Sequence, residues 1–437
     1  MDIDLIVTGG TVLTMAEGAE PIADGAVAVR DGEIVAVGAA SDLLDLASTT
    51  EVLDAGGGLI LPGFVNTHTH LAMTLLRGYA NDLPLVEWLQ RRIWPIEATL
   101  MTAENVGLGT RLAAAESLLA GVTCACDMYF HSDSVIEAAV EAGMRAVVPE
   151  SVIDFPTPAC PTPQDAMAKQ RELLERLRGH RLIAAGVAAH SPYSVSAANL
   201  VQEAELAEEF GAPFIIHVAE TRWEAEKIAA EKGVSPVEYL ADLGVLSERT
   251  VAAHCVHVGA ADLDRLAEFG VGVASNPVSN LKLASGVAPV PQMLSRGIQV
   301  AWGTDGAASN NTLDLLRDAQ LAALVYKGIT GDPTVLPART VAGMLTLGGA
   351  RVLGLGDRIG SLEAGKRADL VCMSLDAPHA LPSFDPFAHL AYAARASDVR
   401  HVVVDGRVVV RDREVTTLDV RKIATRARAV AAGLAVG

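Results

Sequence analysis

From residue 59 the chain repeats one alternation eight times: a short apolar stretch rich in Val, Ile and Ala, then a longer stretch of helical period. The apolar stretches are LILPGFVNTHTH (59–70), VTCACDM (122–128), RAVVPESVI (145–153), LIAAGVAAH (182–190), PFIIHVAE (213–220), TVAAHCVH (250–257), VGVASNP (271–277) and QVAWGTD (299–305). Between them fall amphipathic segments such as DSVIEAAVEAGM, PTPQDAMAKQRELLERLRG, ANLVQEAELAEEFG and ADLDRLAEFG. Strand followed by helix, repeated, makes parallel βα units, and near-continuous apolar strands suit a sheet covered on both faces. Eight such units are the number that closes a (β/α)8 barrel. The expected fold is therefore α/β, a TIM barrel over residues 61–358.

The flanks have a different grammar. Residues 1–60 contain DLIVTGGTVLTM, GAVAVRDGEIVAVG and STTEVLDAGG, short strands with an Asp-Gly turn at 31–32 and one short helical stretch at 40–48. Residues 359–437 contain IGSLEAGKRADLVCMSL and VRHVVVDGRVVVRDRE, with a second Asp-Gly at 405–406, and then LDVRKIATRARAVAAGL, which predicts a closing helix. Neither flank can bury a core alone, so the two are expected to join in one small β-sandwich built from both chain ends.

In a barrel of this kind the interior is packed and chemistry collects at the C-terminal ends of the strands. His68 and His70 end the first stretch, His190 the fourth, His217 and Glu220 the fifth, His254 the sixth, Asn276 the seventh and Asp305 the eighth. Five of the eleven histidines thus sit at strand ends, whereas His180, His379, His389 and His401 read as structural or surface groups. Residues two apart on a strand share a face, so His68 and His70 aim at one point. Imidazole and carboxylate suit a borderline divalent metal with an open position. His68, His70, His217 and Asp305 are the expected ligands of one such ion, zinc foremost, with iron(II) or manganese(II) as alternatives. Such an ion brings the pKa of water down to about 7. Glu220 and His254 are then placed to move protons.

Bulk properties exclude other classes. The net charge of −19 argues against a nucleic-acid partner or an anionic membrane surface, both of which need clustered Lys and Arg. No apolar run approaches the roughly 20 residues of a membrane helix, and MDIDLIVTGG lacks the layout of a signal peptide. The five cysteines contain no CxxC pair and read as small core residues of a reducing, cytoplasmic compartment. The HxE plus PCxxC pattern of cysteine-ligated zinc deaminases is absent.

Taken in order, PGFVNTHTH, HVAET, AAHCVH, SNPVSNLKLASG and GTDGAASNN resemble the amidohydrolase superfamily. The likeness is to the branch holding 5′-methylthioadenosine/S-adenosylhomocysteine deaminases and triazine chlorohydrolases. It implies the same four metal ligands, Glu220 and His254 as the proton-transfer pair, with Asp305 or His254 taking the proton of the attacking water. It also implies Trp88 and Glu97 at the ribose of a nucleoside, and His190 facing the substrate. The reaction so implied is hydrolytic deamination of adenosine, 5′-methylthioadenosine or S-adenosylhomocysteine by a homo-oligomer, dimer or tetramer. Alternatives are another amino- or chloro-substituted heterocycle (guanine, pterin, cytosine or s-triazine) and a non-catalytic structural barrel. A dinuclear site would need a lysine at a strand end, and between His70 and His217 the chain has only Lys169, within a helical stretch. One departure concerns Glu150, which stands where relatives that accept homocysteine carry an arginine. A carboxylate there is expected to repel the substrate carboxylate and to favour a smaller nucleoside.

Overall fold

The computed structural model describes residues 3–44 and 51–435. Eight parallel barrel positions follow the alternation: Phe64–Thr69, Val122–Asp127, Arg145–Val148 with Ser151–Val152, Ile183–Ala185 with Val187–Ala189, Phe214–Val218, Thr250–His254, Gly272–Ser275 and Val300–Trp302. The third and fourth strands are each broken once. Their first halves share one sheet with strands one and two, and their second halves share another with strands five to eight.

Side chains take a large share in closing the barrel between strands eight and one. Thr67 Oγ1 donates to the Trp302 carbonyl at 2.9 Å, and Thr69 Oγ1 donates to the Asp305 carbonyl at 2.9 Å. Asn66 Nδ2 donates to Thr304 Oγ1 at 2.7 Å, and the Thr304 amide donates to Asn66 Oδ1 at 3.0 Å. One backbone bond, from the Asp305 amide to the His68 carbonyl at 3.0 Å, runs between the two candidate ligands themselves.

The barrel interior is filled by small residues, among them Cys124, Cys126, Ala188, Ala253, Ala274 and Ala301, above a floor of Leu353, Leu355 and Ile359. All five cysteines are buried and unpaired, and burial pushes the Cys124 thiol up to about 12. They are core residues, as their spacing implied. The expected helices appear as Ser132–Ala142, Pro163–Arg176, Ala197–Phe210, Ala260–Glu268 and, at the end, Val420–Ala435.

The two flanks form one β domain. Leu59–Pro62 from the N-terminal side pairs antiparallel with Leu370–Met373 from the C-terminal side, and nine strands share a single hydrogen-bonded sheet. The layers of the domain are thus parts of one sheet. Its edge strand, Glu33–Ala39, comes back to residues 365–368, where the Ile34 amide donates to Lys366 O and the Gly365 amide to Ile34 O, each at 2.8 Å. Leu5, Val27, Ile60, Leu370 and Val403, drawn from both chain ends, fill the enclosed core. Both Asp-Gly pairs are hairpin turns with positive φ at each residue: +53° and +76° at 31–32, +53° and +80° at 405–406. That geometry matches the twist of the flanking strands. Of the predicted 40–48 stretch, Ala40–Leu44 is helical; positions 45–48 and the first residues of STTEVLDAGG lie outside the described residues. Buried Arg145, on strand three, ties barrel to β domain by donating to both oxygens of Asp369 at 2.6 and 3.0 Å. Among the described residues no helix is long and apolar enough to cross a membrane.

Candidate active site

The C-terminal ends of the strands open onto a cavity lined by His70, His217, Glu220, His254 and Asp305. Strand one delivers the first two imidazoles. Thr67 and Thr69 turn toward strand eight, and alternation leaves His68 on the opposite face, with His70 just past the strand end. The His68 ring centroid lies 4.9 Å from that of His70 and 4.8 Å from that of His217. Asp305 Oδ1 sits 3.1 Å from His70 Nε2 and 3.6 Å from His68 Nε2. The His254 ring stacks on His217 at 5.5 Å.

Two sets of donor atoms each converge within 4.8 Å, His68–His70–Asp305 and His68–His217–His254. The four expected ligands are all in this cluster. His254, assigned on sequence to proton transfer, joins this cluster, its ring centroid 5.5 Å from those of His68 and His217, which lie 4.8 Å from each other.

The imidazoles are oriented by acceptors behind them. His70 Nδ1 meets the Met128 carbonyl and His217 Nδ1 meets the His190 carbonyl, both at 2.6 Å. A carbonyl only accepts, so each Nδ1 carries the proton and each Nε2 presents a lone pair. His254 Nδ1 is held in the same way by Asn280 Oδ1 at 2.8 Å, which leaves its Nε2 3.8 Å from Glu220 Oε2. Asp305 is oriented through its other oxygen, Oδ2, which accepts from Ser279 Oγ at 2.6 Å and Ser309 Oγ at 2.7 Å.

Local backbone aims these groups. Ala219, His254 and Asp305, at or just beyond three strand ends, have φ of +51°, +74° and +60°. Such conformations cost about 1–3 kcal/mol each for non-glycine residues and persist where the surroundings over-determine them. At Ala219 the determinant is Glu224, whose carboxylate accepts the amides of Ala219 and Glu220 at 2.8 and 2.9 Å.

Electrostatics agree with a cation-binding role. Burial lowers the His68 pKa to about 4 against the pull of Asp305, and burial with neighbouring imidazoles drops His217 well below the usual range. Burial pushes Asp305 up, but the adjacent imidazoles of His68 and His70 outweigh it and hold the carboxyl well below its ordinary range. Burial raises Glu220, with His254 opposing. Both ring nitrogens of fully buried His68 lack a hydrogen-bond partner among the described residues. A buried imidazole with no partner is costly unless something else meets its lone pair, and this donor set fits a divalent metal ion.

The other expected site residues line the same cavity at different depths. Glu97 is 4% exposed, and Tyr129 Oη donates to its Oε1 at 2.5 Å. Burial pushes Glu97 up to about 7, and the tyrosine hydroxyl offsets part of the rise. Trp88 forms part of the wall with its indole; its Nε1 is already engaged with the Ala80 carbonyl at 3.2 Å. His190 lies 5.0 Å from the His217 ring, its Nδ1 held by Ser194 Oγ at 2.8 Å. Asn276 precedes the helix Pro277–Lys282 without a side-chain capping bond, its Nδ2 donating to the Ala274 carbonyl at 3.3 Å, and it does not line the cavity.

The structure overturns the expectation for Glu150. Its carboxylate turns away from the cavity to the start of the helix Ser132–Ala142, accepting from the His131 and Ser132 amides at 3.1 and 2.9 Å and from Ser132 Oγ at 2.7 Å. The break between Val148 and Ser151 redirects the side chain. Glu150 satisfies a helix N-terminus and cannot repel a substrate carboxylate. Sequence reasoning also missed Tyr129, Asn280, Ser279, Ser309 and Glu224. The last four lie in or beside quoted motifs, but only the folded chain pairs them with their partners.

Residues 59–409 match the amidohydrolase family. A protein of Syntrophobacter fumaroxidans named 5-methylthioadenosine/S-adenosylhomocysteine deaminase is 46% identical over 428 residues, covering 98% of each chain. A protein of Desulforudis audaxviator with the same name is 46% identical over 409 residues, covering 93% of this chain and 94% of its own. The crystal structure of an adenosine deaminase from Xanthomonas campestris with bound zinc superposes with a TM-score of 0.97 at 38% identity, covering 100% of this chain and 99% of that one. In sequence and in fold, over nearly its whole length, the chain belongs to the amidohydrolase family.

Proposed function

We propose that this chain is a metal-dependent aminohydrolase that deaminates an adenosine-type nucleoside, releasing ammonia and an inosine-type product. The observation that carries the reading is the sharing of one cavity by three parts. His70, His217 and Asp305 of the donor set line it with His68 buried against them, the Glu220–His254 pair lines it as well, and the Glu97 carboxylate reaches it from the helix Trp94–Leu100. The names of the full-length relatives and of the zinc-containing neighbour support it.

His68, His70, His217 and Asp305 would hold the ion, zinc in preference to iron(II) or manganese(II) given three imidazoles and one carboxylate. When bound, the ion supplies Lewis acidity that makes water a nucleophile at neutral pH. Burial keeps a proton on Glu220 to higher pH than an exposed glutamate, so Glu220 can protonate ring N1 and raise the electrophilicity of C6. His254, fixed by Asn280 with Nε2 free, or Asp305 takes the proton of the attacking water. His254 also donates to the oxygen that develops charge at C6. Return of a proton to the exocyclic amine expels ammonia. Glu97 would accept from the ribose hydroxyls, with Trp88 and His190 bounding the nucleoside.

Ammonia release from adenosine and 5′-methylthioadenosine by zinc-loaded protein tests the proposal, with turnover lost on chelation and restored by zinc. Turnover of guanine, a pterin or a triazine with neither nucleoside accepted would overturn it.

A further inference from the structure

Among the described residues, the four most exposed large apolar side chains are Phe384, Ile329, Leu381 and Leu324, at 94%, 61%, 60% and 58%. All four lie on or just before two neighbouring helices, Leu315–Thr330 and Pro386–Tyr392. Gln320 joins these helices, its Nε2 donating to the Leu390 and Ala394 carbonyls at 2.8 Å each. The first helix turns Leu315, Ala319, Ala322 and Tyr326 into the core. Opposite them, at i, i+4, i+7 and i+11, run Arg317, Leu321, Leu324 and Gly328. An outer face normally carries polar groups, as the exposed Gln202, Glu205, Glu208 and Glu209 do on the helix Ala197–Phe210. Here the outer face carries one charge, Arg317, and Val325 and Ile329 widen it along one side. A side chain at Gly328 would meet nothing within 4 Å, so packing inside the chain does not call for the glycine. Glycine there weakens the helix relative to alanine.

The strip ends in opposite charges. At its start the Arg317 guanidinium donates to Thr312 Oγ1 at 3.1 Å. Past its end the Asp332 carboxylate accepts the Thr334 amide and hydroxyl at 2.8 and 2.7 Å. Neither group has an ion-pair partner among the described residues. Lys327 turns back to the carbonyls of Pro333, Val335 and Leu336 and so braces the turn that carries Asp332.

We propose that this strip is the seam of a two-fold dimer, in which a second copy of the chain packs the same helix antiparallel against it. An axis between Leu324 and Val325 sets Leu321 against the partner's Gly328 and Arg317 against the partner's Asp332. Symmetry repeats each contact, so an ion pair closes both ends of the seam. Gly328 makes room for the leucine and lets the two helices approach closely. A strip that is basic at one end and acidic at the other complements its own copy in the antiparallel sense alone. Elsewhere a net charge of −19 holds two copies apart, which leaves this uncharged strip as the place for them to meet. Tyr392, exposed on the neighbouring helix, adds apolar surface beside the seam.

Sedimentation velocity of the zinc-loaded full chain at micromolar concentration should give a species of twice the chain mass. Leu324→Glu should convert it to the monomer, weakening association by about a hundredfold or more, with circular dichroism and zinc content unchanged. Arg317→Asp should weaken the dimer about tenfold, and adding Asp332→Arg should recover most of that loss because each pair is then inverted. Leu324→Cys brings two thiols to the axis, and all five native cysteines are buried. Mild oxidation should therefore yield a covalent dimer, whereas Val140→Cys, exposed on the helix Ser132–Ala142, should not. A monomeric unmodified chain overturns the seam, whether or not another protein binds the strip. A dimer untouched by Leu324→Glu, or a covalent dimer formed equally by Val140→Cys, overturns it too. A loss at Arg317→Asp that Asp332→Arg deepens overturns the antiparallel register.

Discussion

Ser279 Oγ donates to Asp305 Oδ2 at 2.6 Å, while Oδ1 of the same carboxylate lies 3.1 Å from His70 Nε2. One oxygen is thus held from behind so that the other faces the imidazoles, and Ser309 Oγ adds a second hold at 2.7 Å. Groups that orient a ligand typically change metal affinity 10–100-fold when removed. Ser279→Ala combined with Ser309→Ala should weaken zinc binding by about that range, read by competition with a chromophoric chelator, with little change in melting temperature of the zinc-loaded protein. Unchanged affinity would mean that Asp305 is held by its backbone alone.

Glu220 is 6% exposed and faces His254 Nε2 at 3.8 Å, with Glu224 gripping its backbone amide from below. Glu220→Gln keeps the shape but cannot deliver a proton. Turnover in an ammonia-release assay should fall by about 10²–10⁴-fold, while zinc content stays near that of the unmodified protein. A variant with near-normal kcat would remove Glu220 from the acid role.

The fold was legible because short, near-continuous apolar runs and longer stretches of helical period alternate cleanly over residues 59–305. The candidate donor cluster was legible because strand ends are where a barrel exposes polar side chains. His68, His70, His217, His254 and Asp305 needed only that rule and their spacing. Tyr129, Ser279 and Asn280 did not announce themselves, because a Tyr or Ser gains a role only from the partner that folding brings near, 32 residues away for Glu97 and 26 for Asp305. Glu150 shows the converse error. Its position along the third strand was right, but a two-residue interruption rotated its carboxylate to another partner.

That reassignment predicts a stability effect in place of a specificity effect. Glu150→Ala would leave the amides of His131 and Ser132 without an acceptor in a buried setting, at about 1–3 kcal/mol for each group left unsatisfied. The urea midpoint should drop accordingly. The ranking of nucleosides by kcat/KM should not change. A gain in S-adenosylhomocysteine turnover by this variant would restore the repulsion argument that the geometry sets aside.

A pH signature comes from Glu203, on the helix Ala197–Phe210, with no solvent exposure and Gln170 beside it. Burial raises its carboxyl to about 8, and the contact with Gln170 offsets only part of the rise. Between the ordinary carboxyl range and about 8, the folded chain holds a proton that the unfolded chain has released. Stability therefore falls as pH rises through that window, because unfolding sheds the proton. Gln170 Oε1 is buried and without a partner among the described residues, so the protonated form of Glu203 has an acceptor at hand that the ionised form cannot use. Glu203→Gln keeps a donor at the position and cannot ionise. The urea midpoints of the two proteins should lie close together near pH 5 and separate as the pH is raised to 9, with the variant the more stable. Curves that stay parallel over that range would show that Glu203 does not carry a buried proton.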